Sequence, residues 1–145
     1  MELLLSAKRH IGFIGFGNMG CAIGYSLCQA ENSLFVSDPN IDQEAIQPEF
    51  SPAITLCHLT DVFNHCDLIF LCIKPQYLDA ISIQIKALIK DNHIVISMLA
   101  GISLQRLSDQ LNTNQVVRIM PNTPAILGKG VTGICFNDAI TDDSK

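Results

Sequence analysis

Short apolar runs alternate with segments of helical periodicity along most of the chain. The strand-like runs are residues 11–14, 34–37, 53–56, 68–73, 94–96, 116–120 and 131–136. Between them, apolar residues recur at helical spacing, and Thr60 and Ser103 are placed to cap two of the predicted helices. Continuous apolar strands separated by helices predict an α/β fold, with a mostly parallel sheet covered by helices on both faces.

A glycine-rich turn follows the first run. Gly15, Gly17 and Gly20 have the spacing G-x-G-x-x-G, and a helical pattern follows them. In that context the first glycine permits a tight turn, the second lets backbone approach a pyrophosphate, and the third lets helix and strand pack closely. The phosphates would lie on N–H groups at the helix start. The motif indicates a dinucleotide site, although a plain strand-to-helix turn has the same spacing.

The residues after the other strands are also candidates, because ligands bind beyond the carboxyl ends of parallel strands. Asp38 follows the second run, where an acid that binds the ribose hydroxyls is expected. Lys74 either binds a ribose or phosphate group or extends to solvent. Gly101 either lets a nicotinamide ring approach the backbone or forms a turn. Asn122 and Thr123, between two prolines, suit a rigid site or a structural loop.

Composition narrows the classes of function. The chain has 145 residues, 48% hydrophobic and 16% charged, which suits one domain with its own core. A formal net charge of −5 argues against a nucleic-acid partner. No apolar run approaches membrane-spanning length. The six cysteines form no C-x-x-C pair, which predicts reduced thiols in a cytoplasmic protein. The four histidines have no ligand spacing either, so no metal site is expected.

Four motifs, taken in order, resemble one family. They are the glycine motif of residues 11–20, Lys74-Pro75-Gln76, Ile96-Ser97-x-x-Ala100-Gly101-Ile102 and Arg118-x-Met120-Pro121-Asn122-Thr123-Pro124-Ala125. Over residues 10–136 the chain resembles the N-terminal NAD(P)-binding domain of pyrroline-5-carboxylate reductase. The resemblance implies an oxidoreductase of proline biosynthesis, which reduces the imine 1-pyrroline-5-carboxylate to L-proline with hydride from NADH or NADPH.

The resemblance also implies a role for each matched position. The residues implied at the pyrophosphate are Gly15, Phe16, Gly17, Asn18, Met19 and Gly20. Asp38 would lie at the adenosine ribose. The residues implied around the nicotinamide and its ribose are Ile73, Lys74, Pro75, Ala100 and Gly101. Asn122 and Thr123 would border the catalytic pocket where the imine meets the cofactor.

Local charge favours NADH over NADPH. The Asp38 carboxylate would repel the 2′-phosphate of NADPH, which Arg or Lys normally binds. No Lys or Arg occurs between Arg9 and Lys74, and Arg9 precedes the first strand, at the wrong end of the sheet. Helix N–H groups near Asn40 are the remaining route to a phosphate. The family commonly uses NADPH, so this expectation runs against the resemblance.

The predicted organisation is a lead-in at residues 1–9 and a Rossmann-type, doubly wound domain at residues 10–145. Family members continue into a helical domain that forms homo-oligomers and carries most of the substrate-binding residues. The resemblance therefore implies a domain truncated before its last elements, with half of an active site. The alternatives are a non-catalytic paralogue that only binds dinucleotide and a domain of another two-domain NAD(P)-dependent reductase.

Overall fold

The computed structural model describes residues 8–122 and 132–142. Strands β1 to β7 are His10–Ile14, Ser33–Ser37, Ile54–Leu56, Leu68–Leu71, Ile94–Ser97, Val116–Pro121 and Thr132–Phe136. Helices α1 to α4 are Asn18–Gln29, Leu59–His65, Leu78–Leu88 and Leu104–Leu111. Short 3-10 turns lie at Gln43–Ala45, Ser51–Ala53 and Pro75–Tyr77. Within these described ranges, no helix is long and apolar enough to cross a bilayer.

In the residues that the structure describes, the strands form one seven-stranded sheet in the order β3-β2-β1-β4-β5-β6-β7. Neighbouring strands are parallel from β3 to β6, whereas β7 pairs with β6 in the antiparallel direction. The chain runs outward from β1 to β3 on one side and from β4 to β6 on the other. The predicted Rossmann-type, mostly parallel sheet is confirmed, and the direction of winding changes between β1 and β4.

Helices cover both faces of the central strands, which is why those strands are apolar without alternation. On one face, Ile14, Leu71 and Val95 join the buried core with side chains of α2, α3 and α4. On the other, Phe13 and Phe70 belong to the core on which α1 packs. Phe13 and Ile14 are consecutive and enter opposite cores, as successive residues of a strand do.

Three predicted boundaries are wrong, each for a local reason. The strand predicted at residues 68–73 ends at Leu71, because the chain then turns towards the 3-10 turn that Pro75 opens. Thr60 is not the cap of α2: the helix starts after His58, whose backbone N–H donates to the Asp61 carboxylate at 3.2 Å. Pro121 was predicted in a loop but ends β6, paired with Thr132. The predicted cap at Ser103 is confirmed, since its hydroxyl accepts the Arg106 N–H.

Candidate functional site

The carboxyl ends of β1, β2, β4, β5 and β6 meet at one edge of the sheet. The predicted site residues follow these strand ends, and β1 and β4 form the switch point between them. Backbone hydrogen bonds join the turns at this edge: Gly15 N–H donates to the Ser37 carbonyl at 2.9 Å, and Cys72 N–H donates to the Ile14 carbonyl at 2.8 Å. The edge is therefore one connected surface of adjacent turns.

Two glycines of the motif are required by the protein itself. Gly15 has φ of +84°, and a Cβ there would lie 2.9 Å from the Cys72 carbonyl group. A Cβ on Gly20 would lie 3.1 Å from the Gly15 oxygen, so α1 packs directly on the turn. Gly17 differs, because a Cβ there would meet no described atom within 4 Å. The open space beside Gly17 is where a ligand would have to approach.

The start of α1 offers an anion site to that space. Gly17 is the N-cap and provides no capping side chain, and the first turn contains no acidic residue. The first N–H groups of a helix have no partner within the helix, and its dipole favours negative charge there. Asn18, which opens the helix, is exposed, and Met19 is half-buried. A pyrophosphate group fits this arrangement.

Phe16 is placed differently from the other residues of the motif. Its ring is fully buried and packs edge-on against Phe13 and Tyr25, with ring centroids 5.3 and 5.9 Å away. A Cβ on Gly24 would lie 2.5 Å from this ring, so Gly24 forms the slot that holds it. The Phe16 carbonyl accepts a hydrogen bond from the Cys21 thiol at 3.0 Å. The side chain of Phe16 therefore anchors the turn and is not available to contact a ligand.

The Asp38 carboxylate joins the turns after β1 and β2. One oxygen accepts the Phe16 backbone N–H at 2.7 Å, and the other accepts the Asn40 N–H at 2.8 Å. Each carboxylate oxygen has a second acceptor site, so ribose hydroxyls can still donate to Asp38. The carboxylate also helps to raise the pKa of the Cys21 thiol, although burial raises it more.

At the end of β4, the three predicted residues have different surroundings. Ile73 is half-buried and packs against the core under α3. Lys74 and Pro75 are exposed, and Lys74 is the N-cap of the 3-10 turn. The turn is closed by a hydrogen bond from Tyr77 N–H to the Lys74 carbonyl at 3.0 Å. The Lys74 side chain therefore extends from the ligand edge into solvent.

The remaining predicted residues follow β5 and β6. Ala100 and Gly101 are exposed, and Gly101 has φ of +72° with open space beside it. Asn122 is exposed directly after β6. Thr123 lies outside the described residues. The structure thus brings Gly101 and Asn122 to the same edge as the glycine turn, after neighbouring strands.

A cleft of about 220 Å³ lies at this edge. Its lining residues are Met19, Cys72, Ile73, Met98, Met120 and Pro121. We call it the methionine cleft. Met19 and Ile73 were predicted at the cofactor; the other four were not, because apolar residues at strand ends look like core residues in the sequence. The signal that could have found them is their position directly after, or at the end of, β4, β5 and β6.

The chemistry of the cleft suits binding more than acid–base catalysis. Its lining is apolar and sulfur-rich, and burial raises the pKa of the Cys72 thiol above its ordinary value. A second cleft, of about 570 Å³, lies at the opposite end of the sheet, near Asp91 and Gln115 before β5 and β6. Among the residues that the structure describes, no three His, Cys, Asp or Glu side chains are grouped to hold a metal ion.

Known proteins resemble this chain in sequence. A family model described as NADP oxidoreductase coenzyme F420-dependent matches residues 10–101. The pyrroline-5-carboxylate reductase of Pasteurella multocida is 32% identical over 144 residues, which cover 94% of this chain and 52% of that protein. The chain spans about half the length of the curated relatives it matches.

Solved structures agree with the sequence comparison. A 1-pyrroline-5-carboxylate reductase from Streptococcus pyogenes is 31% identical, with a TM-score of 0.79 over 94% of this chain and 52% of that one. A pyrroline carboxylate reductase of Plasmodium falciparum with NADP bound is 23% identical, with a TM-score of 0.78 over 94% of this chain and 51% of that one, and shows the shared fold. The resemblance predicted from the four motifs is confirmed.

Proposed function

The chain belongs to the family described as NADP oxidoreductase coenzyme F420-dependent, and we propose that it forms the dinucleotide-binding half of a pyrroline-5-carboxylate reductase. The complete protein would reduce 1-pyrroline-5-carboxylate to L-proline, in proline biosynthesis. The observation that carries the proposal is the glycine turn at the β1/β4 switch point, open beside Gly17 and adjacent to the methionine cleft. A cytoplasmic location is part of the proposal, supported by six cysteines that all lie in described residues and form no disulfide.

In this function, the chain's residues bind and orient the cofactor. The N–H groups at the start of α1 would hold the pyrophosphate, and Asp38 would accept the adenosine ribose hydroxyls. The methionine cleft would exclude water around the nicotinamide, with Gly101 and Asn122 at its margin. NAD(P)H supplies the hydride, so this half needs no strong acid or base of its own. Orientation of the reacting groups contributes much of the rate.

We further propose that the domain prefers NADH. The Asp38 carboxylate lies after β2, where a 2′-phosphate would meet a like charge. Arg9 lies at the opposite end of the strands, since its carbonyl accepts the N–H of Ser33 at the start of β2. The NADP-bound relative and the family description favour NADPH instead. We nevertheless propose NADH because the Asp38 carboxylate would repel the 2′-phosphate of NADPH.

Calorimetric titration with NADH and NADPH tests the cofactor half of the proposal. Gly17→Val should abolish binding of both, because the side chain would occupy the open space beside the turn, while far-UV circular dichroism stays near that of the wild type. Ser26→Val is the control, because it adds the same branched side chain near the far end of the same helix, at an exposed position away from the glycine turn. Undiminished binding by Gly17→Val would show that the motif is only a turn, and no binding by the wild type would refute the proposal.

Turnover is tested separately from binding. Because the chain spans about half the length of its relatives, we expect the 145-residue polypeptide alone to bind dinucleotide without reducing racemic pyrroline-5-carboxylate. Turnover at ordinary rates of about 1–1000 per second would contradict this expectation. Binding of cofactor by the complete protein without any turnover would favour the alternative, a non-catalytic dinucleotide-binding paralogue.

A further inference from the structure

The methionine cleft concentrates the thioethers of the chain in one place. Three of its four methionines, Met19, Met98 and Met120, line the cleft together with Cys72. They come from different elements: Met19 from the first turn of α1, Met98 from the residue after β5, and Met120 from β6. A backbone hydrogen bond joins the residue after β5 to β4, the strand that precedes Cys72, since Met98 N–H donates to the Leu71 carbonyl at 3.1 Å.

The three methionines differ in exposure. Met120 is 41% exposed, one of the few large apolar side chains in the described residues with so much surface in solvent. Met19 and Met98 are half-buried. Of the three cleft methionines, Met120 is therefore the one most open to a small polar oxidant from solvent.

The neighbouring thiol is the weaker target. Thiol oxidation proceeds through the thiolate, and burial raises the pKa of Cys72 above its ordinary value. A thioether needs no deprotonation before it reacts, because its sulfur lone pair is always available. An oxidant in this cleft would thus modify methionine before cysteine.

We propose that Met120 is a sulfoxidation site, through which hydrogen peroxide or a related peroxide reversibly weakens dinucleotide binding. The sulfur lone pair attacks one peroxide oxygen, so that an S–O bond forms as the O–O bond breaks. The departing oxygen takes up the proton that the transferred oxygen loses and leaves as water from hydrogen peroxide, or as an alcohol from an alkyl hydroperoxide. Sulfur is oxidised by two electrons and the peroxide is reduced by two, which balances the step.

Oxidation of Met120 should weaken dinucleotide binding because it makes the cleft more polar. Sulfoxidation converts a flexible apolar side chain into a polar, chiral one, and the cleft otherwise presents apolar groups such as Ile73 and Pro121. The effect on binding rests on the proposed function, in which the nicotinamide end of the cofactor occupies this cleft. Methionine sulfoxide reductases of both epimer specificities reverse the modification, so affinity should return.

The experiment oxidises the purified chain with hydrogen peroxide and measures two quantities. Peptide mass spectrometry gives the rate of sulfoxide formation at each methionine, and titration gives the dinucleotide dissociation constant before and after treatment. Met120 should oxidise faster than Met19 and Met98, and treatment should weaken binding about tenfold, or about 1.4 kcal/mol. The two reductases together should restore the original value.

Variants make the assignment specific. The ratio of treated to untreated dissociation constant should fall close to one in Met120→Leu, whatever its untreated affinity. In Met98→Leu the ratio should stay near that of the wild type. Slower oxidation of Met120 than of Met98, or unchanged affinity after full Met120 oxidation, would overturn the proposal. Failure of the untreated wild type to bind any dinucleotide would refute the proposed function instead, and the order of oxidation rates would still decide the modification site.

Discussion

The backbone N–H of Phe16 donates to the carboxylate of Asp38 at 2.7 Å and ties the glycine turn after β1 to the turn after β2. The same phenylalanine accepts the Cys21 thiol at its carbonyl and buries its ring in the slot beside Gly24. The backbone N–H, the carbonyl and the ring of Phe16 thus each contact a different residue. The glycine turn is therefore fixed before any cofactor arrives, which lowers the ordering cost of binding.

Gly24→Ala should destabilise the fold and weaken dinucleotide binding. The added Cβ would lie 2.5 Å from the Phe16 ring, and overpacking of this kind costs about 1–3 kcal/mol. A contact of 2.5 Å belongs to the upper part of that range, about 2–3 kcal/mol. Alanine gains up to about 1 kcal/mol over glycine in a helix, so we expect a net loss of about 1–2 kcal/mol in urea unfolding. The steric cost outweighs the helix propensity.

Two further variants check this cause. Ser26→Ala lies on an exposed side of the same helix and should not lower stability. Phe16→Leu combined with Gly24→Ala should recover part of the loss, because the shorter side chain leaves room for the new methyl group. A Gly24→Ala variant as stable as the wild type would show that the Phe16 ring can move aside without cost.

Stability should fall in mildly acidic solution because of His93. Its ring is only 1% exposed; Nδ1 accepts the Lys90 N–H at 2.9 Å, so Nε2 carries the proton and donates to the Phe63 carbonyl at 2.9 Å. Burial lowers the pKa of His93, although the Phe63 carbonyl opposes the shift. Protonation of Nδ1 would break the bond to Lys90 and place a charge in the core.

The direction of the pH effect follows from that lowered pKa. The unfolded chain takes up the proton near the ordinary histidine value of about 6.5, and the folded chain does so only at lower pH. The stability from neutral His93 is thus complete above about pH 6.5 and is lost as the pH falls below it. Urea unfolding from pH 7.5 downward measures the loss, and NMR titration of the ring assigns it. A His93 resonance that titrates at or above the ordinary value would contradict the argument.

The outer strand of the sheet should promote self-association. Ile134 of β7 is 53% exposed and pairs with Ile119, and in the described part of the chain no strand lies beyond β7. An exposed edge strand with apolar side chains is a template for pairing with another chain. Sedimentation velocity should show mass that rises with concentration, and Ile134→Thr should reduce it.

Ile83→Thr is the control for that experiment. Ile83 is 72% exposed on helix α3, where the backbone is already hydrogen-bonded within the helix and offers no edge. This substitution removes similar apolar surface and should leave the association unchanged. Equal effects of the two substitutions would assign the association to apolar surface in general and not to the β7 edge.

The sequence predicted the elements well because their patterns are local. Apolar runs and helical spacing located the strands and helices. The glycine spacing correctly predicted a tight turn at Gly15 and close packing of helix α1 on that turn at Gly20. The burial of the Phe16 side chain was not predictable, because the slot that holds its ring is formed by Gly24, further along in helix α1. Met98 and Met120 were missed at the cleft for a related reason. An apolar side chain at a strand end is a core residue or a cleft residue according to what packs above it, which the local pattern does not contain.

Substitution of Asp38 tests the cofactor preference. Asp38→Asn removes the charge and keeps an acceptor for the Phe16 N–H, so the ratio of NADPH to NADH affinity should move towards NADPH by about tenfold, or about 1.4 kcal/mol. Asp42→Asn is the control, because it makes the same change of net charge at an exposed cap of the nearby 3-10 turn. The shift should shrink at high salt, as interactions between exposed charges do.

The ratio of the two affinities is the informative quantity. Any loosening of the glycine turn by Asp38→Asn weakens both cofactors, since both would place the same pyrophosphate at the start of α1. The two cofactors differ only at the 2′ position of the adenosine ribose, so a change in the ratio reports what Asp38 does there: it repels the 2′-phosphate of NADPH and accepts the 2′-hydroxyl of NADH. An unchanged ratio, or tenfold tighter binding of NADPH by the wild type, would show that other groups accept the phosphate, with the N–H groups near Asn40 the first to examine.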